Sequence, residues 1–338
     1  MAVKSSGFII AYVIDIEPPE FHINSLYPPI EPFFSDTLAV SPQHSLYVER
    51  SGKKGGHPII FLHGGPGSQV RAAHRRYFDP EFFDIVLFDQ RGCGQSLPAG
   101  ETQDNNTLAL VGDINTIREA LDIRGRMSLF GGSWGSTLAL VYALHHPERV
   151  AAMVLRGIFL ASADEISWFT QGVARFAPQA WEQLTDGMGD DLIDAYYRAV
   201  FDADEHSARE AARRWTVFEM QIMSIGTQVP GADPLPAPQA SLALLNRARV
   251  QLHFLKNQSF LADTSLLDAA KTIQAPTTIV HGELDFVCPP ITAWRLNQCL
   301  PNSRLRMVNN AGHGGLSEQL APALREEVDA LRDRLLNQ

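Results

Sequence analysis

The five residues Gly131-Gly132-Ser133-Trp134-Gly135 constrain this chain more than any other stretch of it. They follow the apolar run Met127-Ser128-Leu129-Phe130 and precede a helical pattern from Ser136 to His146. A G-x-S-x-G between a strand and a helix forces the serine onto a sharp turn, clear of the sheet edge. The glycines at either end relieve crowding that a side chain would cause. A serine hydroxyl exposed there, at a helix N-terminus, is open to activation as a nucleophile.

Around that turn, short apolar runs alternate with helical stretches. Ser45–Glu49, Pro58–Leu62, Ile85–Phe88, Met127–Phe130, Val150–Leu155, Thr277–Val280 and Arg304–Val308 read as strands. Several are nearly continuous in Val, Ile, Leu and Phe, as strands buried on both faces are. Helical patterns at Thr107–Leu121 and Ser136–His146 separate them. This alternation predicts an α/β protein with a mostly parallel central sheet flanked by helices. It stops between about residues 160 and 270, where Trp168, Trp181 and Trp215 stand among Ala, Arg and Glu with hardly any strand pattern. That stretch predicts an inserted helical cap over the carboxyl ends of the strands, where such sheets bind ligands. The expected organisation is an extension over residues 1–25, a sheet domain from 26–159 and 271–338, and a cap from 160–270, broken by a proline-rich loop at 230–238. Proline-rich residues 17–42 suit an extended arm on the surface.

A chain of 338 residues accommodates one large domain with such an insertion. Its net charge of −10, without a basic run, argues against nucleic-acid binding. No apolar stretch approaches the ~20 residues of a membrane span. The run Gly7–Ile14 is cut short by Asp15 and lacks a small-residue cleavage site, so residues 1–25 are expected to be a soluble extension, with secretion the alternative. Cys93, Cys288 and Cys299 form no C-x-x-C, which predicts free thiols in a reducing cytoplasm.

An acyl-transfer serine needs a base, an orienter for that base and donors for the developing oxyanion. Thr277–Val280 runs into His281-Gly282-Glu283-Leu284-Asp285, and Arg304–Val308 runs into Asn309-Asn310-Ala311-Gly312-His313. Asp285 and His313 therefore each fall just beyond the carboxyl end of a strand, in the order Ser, Asp, His that α/β hydrolases use. His313 is the expected base and Asp285 its orienter, with Glu283 the nearest rival for the latter role. The backbone N–H of Trp134 is one expected oxyanion donor. Gly65, in the loop His63-Gly64-Gly65-Pro66-Gly67, is the other. The segment Asp89 to Ser96 is expected to brace the site. His22, His74 and His206 read as surface residues, while His63 and His281 read as shaping turns at strand ends.

The motifs HGGPG at His63, DQRGCGQS at Asp89 and GGSWGSTLAL at Gly131, together with Leu26-Tyr27-Pro28-Pro29-Ile30-Glu31-Pro32 and Leu155-Arg156-Gly157-Ile158-Phe159, resemble the prolyl aminopeptidase (proline iminopeptidase) family. The resemblance runs from about Leu26 to the C-terminus. It implies an α/β-hydrolase fold with a helical cap, no cofactor, and release of N-terminal proline from peptides through a prolyl-acyl enzyme. The substrate would be a small peptide or amino-acyl compound with a free N-terminus. An exopeptidase of that kind needs a carboxylate for the cationic amine. The family places a glutamate after a W-x-x-W/F pattern, and Trp215-Thr216-Val217-Phe218-Glu219 fits, which assigns that role to Glu219. The resemblance also implies that Phe159 lines the proline pocket and that Arg156 organises the acidic site.

Two departures bear on the substrate. Ala248-Arg249-Val250-Gln251 puts Gln251 where the family has a second cap glutamate, and an amide adds no negative charge. Trp168-Phe169-Thr170 lacks the tyrosines found after that tryptophan, so Phe169 offers the pocket wall no hydroxyl. Both favour an alternative with the same chemistry, an esterase or amidase for small acyl groups. A third reading, a hydrolase fold retained only for binding, would require a broken triad.

Overall fold

The computed structural model describes residues 25–225 and 241–337. The expected extension over 1–25, all but its last residue, and the proline-rich loop at 230–238 lie outside the described residues, as does His22.

The strands are β1 (Phe34–Ala39), β2 (Ser45–Gly52), β3 (His57–Leu62), β4 (Phe83–Phe88), β5 (Met127–Gly132), β6 (Val150–Arg156), β7 (Thr277–Gly282) and β8 (Ser303–Val308). They form one sheet in the order β1-β2-β4-β3-β5-β6-β7-β8. β1 and β2 pair antiparallel with their neighbours, and all pairings from β4 to β8 are parallel. β4, β5 and β7 are buried along their whole length, which is why none of them alternates strictly between apolar and polar residues. β1, by contrast, is an edge strand with a mostly exposed surface. Its sequence FSDTLA carries no apolar pattern, so this part of the proline-rich segment reads as an arm although it pairs with β2. Residues 25–33, which precede β1, do lie over the surface. The Tyr27 hydroxyl donates to Asp329 at 2.6 Å, and Leu26 is buried against the core.

Ten helices complete the chain: α1 (Thr107–Ala120), α2 (Trp134–His145), α3 (Ala163–Thr170), α4 (Pro178–Thr185), α5 (Leu192–Val200), α6 (Glu205–Met223), α7 (Leu242–Lys256), the single turn α8 (Leu266–Ala269), α9 (Pro290–Cys299) and α10 (Leu320–Leu336), counted among the described residues. One core layer packs α1, α2 and α9 on one face of the sheet, around Ile60, Leu129 and Leu138. The other packs α10 and the turn at Tyr77–Phe78 on the opposite face, around Phe61, Phe130 and Leu324. Each fully buried aromatic or aliphatic side chain contributes about 1.5–3 kcal/mol.

Helices α3 to α7 lie between β6 and β7, which are adjacent in the sheet, so they form an insertion at the carboxyl end of the strands. They share a core of their own, including Trp215, Phe218 and Leu252. The Trp168 indole donates to the Phe286 carbonyl at 2.9 Å and ties α3 to the loop after β7.

Candidate active site

Ser133 sits between the end of β5 and the start of α2 with φ 55° and ψ −124°. Few L-residues adopt this backbone, and it is held here because the flanking elements leave no alternative. A Cβ on Gly131 would stand 2.3 Å from the Gly135 carbonyl, and one on Gly135 would stand 2.0 Å from that of Leu62. Strand, turn and helix therefore approach more closely than any side chain permits. The Ser133 carbonyl accepts from the N–H and hydroxyl of Ser136, at 2.8 and 2.6 Å.

His313 and Asp285 meet in the same pocket wall. His313 Nδ1–H donates to Asp285 Oδ2 at 2.7 Å, and both residues are buried. Asp285 Oδ1 accepts from the N–H groups of Val287 and Cys288, at 3.0 and 2.8 Å. Burial alone would raise the Asp285 pKa. His313, His281 and the Cys288 N–H outweigh it and hold the carboxyl below its usual value. Gly157, with φ +52°, backs this pair: a Cβ there would lie 2.9 Å from His313 Cε1. Arg156 donates to the His313 carbonyl at 2.9 Å, so it anchors the histidine loop.

The loop of Gly64 and Gly65 faces Ser133. A Cβ on Gly64 would stand 3.8 Å from the Ser133 hydroxyl oxygen, and Gly65 takes φ +115°. Gln90 braces this arrangement from behind. Its side-chain amide donates to the His63 carbonyl at 2.9 Å and accepts from the Trp134 indole at 2.8 Å, while its backbone N–H donates to His63 Nε2 at 3.0 Å. His63 is thereby the Nδ1–H tautomer, and burial lowers its pKa to about 4. His281 accepts from the Ile158 N–H and donates to the Cys288 carbonyl, as a turn-shaping histidine does.

One pocket is lined by Ser133, His313, Gly64, Gly65, Arg156 and Phe159, and by Phe169, Glu219, Arg247 and Gln251 of the cap. Glu219 is 9% exposed. It accepts from the Gln251 amide at 2.5 Å and from Arg247 at 3.2 Å, and the Gln251 carbonyl oxygen accepts from the Trp215 indole at 3.1 Å. Phe169 packs edge-on against Phe218 at 5.4 Å and tilted against Trp215 at 5.7 Å. Cys288 also lines the pocket, and burial and Asp285 push its thiol pKa well up.

His74 and Glu165, like Arg247, are titratable pocket residues that sequence reasoning misses. His74 is not on the surface; it is half-buried, lines the pocket and stacks on Phe61 at 4.5 Å. Burial, with Arg71 and Arg156 nearby, lowers its pKa to about 3. Glu165 also lines the pocket and caps α3 by accepting from the N–H groups of Leu160 and Ser162. Burial raises its pKa. An S-x-x-E capping box is the signal that finds Glu165. For His74 the sequence carries none, because its position depends on how the Ala72–Tyr77 turn packs.

A family model described as the alpha/beta hydrolase fold matches residues 57–319. The chain is 43% identical over 319 residues to the proline iminopeptidase of Arabidopsis thaliana, covering 91% of this chain and 83% of that one. It is 40% identical to the proline iminopeptidase of Neisseria gonorrhoeae, covering 90% and 98%. Among solved structures, a proline iminopeptidase-related protein from Thermus thermophilus superposes with a TM-score of 0.58 at 21% identity, over 91% of this chain and 98% of that one. The chain belongs to the proline iminopeptidase family of α/β hydrolases.

Proposed function

We propose that the protein is a serine aminopeptidase that releases N-terminal proline from short peptides. The observation that carries this reading is Glu219, a buried carboxylate lining the same pocket as Ser133 and held by Gln251 and Arg247 of the cap. Such a group fits a cationic secondary amine and rejects an acylated one. Phe159 and Phe169 flank the space a pyrrolidine ring would fill.

In this mechanism His313 takes the Ser133 proton as the hydroxyl oxygen attacks the prolyl carbonyl. Asp285 holds the imidazole in the required tautomer and stabilises the imidazolium. The N–H groups of Trp134 and Gly65 receive the oxyanion. His313 then gives its proton to the leaving amine, and the prolyl ester on Ser133 is hydrolysed by water activated in the same way. Arg156 acts through the His313 loop, as a positioning residue.

The same chemistry on small neutral esters is the second reading. It is favoured by Arg247, which already shares Glu219, and by the neutral Gln251. Replacing Glu219 with Gln separates the two. In that variant KM for prolyl-nitroanilide should rise at least about tenfold, with little change for a small acyl nitrophenyl ester. An equal effect on both substrates removes Glu219 from amine binding. Among the described residues no helix is long and apolar enough to cross a membrane. The three unpaired cysteines support a place in the reducing cytoplasm.

A further inference from the structure

Arg247 and Gln251 lie one turn apart on α7 and reach Glu219 from the same side. Gln251 holds Oε1 of the carboxylate, and the Arg247 Nη2 donates to Oε2. Two more deeply buried arginine pairs are made differently. Arg75 grips Glu49 through two bonds of 2.7 and 2.8 Å, and Arg91 grips Asp113 through two of 2.7 Å. Arg247 makes a single contact of 3.2 Å, long for a charge-assisted bond, and its side chain is 34% exposed. Its Nε is buried without a hydrogen-bond partner among the described residues. An arginine so held loses little when it moves away.

The empty pocket and the occupied one place opposite demands on Glu219. Without substrate, a buried carboxylate requires donors and a cation nearby. With substrate, the N–H groups of a prolyl ammonium require the same oxygen. We propose that Arg247 is a resident counterion that competes with the substrate's N-terminal ammonium for Glu219, and thereby sets the selectivity between free-amine and neutral substrates. The inference rests on the amine-binding reading of Glu219. It assigns Arg247 a specificity-determining role, and Gln251 the role of holding the carboxylate in place while the counterion exchanges.

The test uses the full chain with Arg247→Met, comparing prolyl-nitroanilide with a small neutral acyl nitrophenyl ester. A partly exposed ion pair is worth about 1 kcal/mol or less, so the prolyl-to-ester ratio of kcat/KM should rise about three- to fivefold, through a lower prolyl KM. Added methylguanidinium should restore a higher prolyl KM in the variant. A prolyl KM that stays the same or rises, or an equal shift for the ester, overturns the proposal. Arg247→Gln carries the same expectation should the methionine variant fail to fold. Glu219→Gln in the same panel separates the two layers. If it impairs amine and ester equally, the amine-binding reading fails. If it impairs only the amine while the Arg247 variants leave prolyl KM unimproved, the counterion proposal alone fails.

Discussion

Gln251 donates its side-chain amide to Glu219 at 2.5 Å while its carbonyl oxygen accepts from the Trp215 indole at 3.1 Å. The amide is thus a bridge between an acid and an N–H donor, a task that no carboxylate performs with both partners unchanged.

Replacing Gln251 with Glu sets two carboxylates in contact, and one must take up a proton. A pKa raised in the folded state adds stability below the unfolded carboxylate pKa of about 4 and loses it as pH rises through the folded value. The variant should therefore melt about 2–5 °C below the wild type at pH 8, and closer to it at pH 5. Calorimetry at the two pH values checks this; an equal deficit at both contradicts it.

The positive φ of Gly157 and its 2.9 Å approach to His313 Cε1 leave no room for a methyl group. Gly157→Ala should displace the imidazole and lower kcat about a hundredfold, with a much smaller change in KM. Unchanged kcat in a folded variant would show that His313 tolerates displacement.

Ser133 stores backbone strain at φ 55°. Both Ser133→Ala and Ser133→Gly should abolish turnover. The glycine variant should be the more stable by about 1 kcal/mol, because only glycine adopts this conformation without cost. Chemical denaturation of the two variants measures the difference, and an alanine variant of equal stability would remove the strain.

Asp89 accepts from the N–H groups of Val70 and Gln95, yet burial pushes its pKa up to about 6. Its protonated form is favoured by folding, so its contribution is full below about pH 4 and is lost as pH rises through 6. The stability difference between wild type and Asp89→Asn should therefore shift against the wild type from pH 4.5 to 7.5. A difference independent of pH would contradict the perturbed carboxyl.

These relationships differ in how far the sequence reveals them. The strands from β2 to β8 are legible because each is an apolar or alternating run between turn residues. The serine turn is legible because glycines at both ends of Ser133 have a steric reason. Asp285 and His313 are found by position, each just past a strand. β1 is hidden, since an exposed edge strand carries no apolar alternation. His74 and the Arg247–Glu219 pair are hidden for another reason. Their neighbours come from distant segments, and no local spacing records that a turn near residue 74 or a helix near residue 247 faces the pocket.

The most direct measurement compares kcat/KM for prolyl-nitroanilide and N-acetyl-prolyl-nitroanilide, with a small acyl nitrophenyl ester alongside. Fast release is expected from the free-amine prolyl substrate, with a loss of at least about a hundredfold on acetylation, which removes the charge that Glu219 binds. Comparable cleavage of both prolyl substrates, or rapid ester hydrolysis with little prolyl activity, would contradict this expectation.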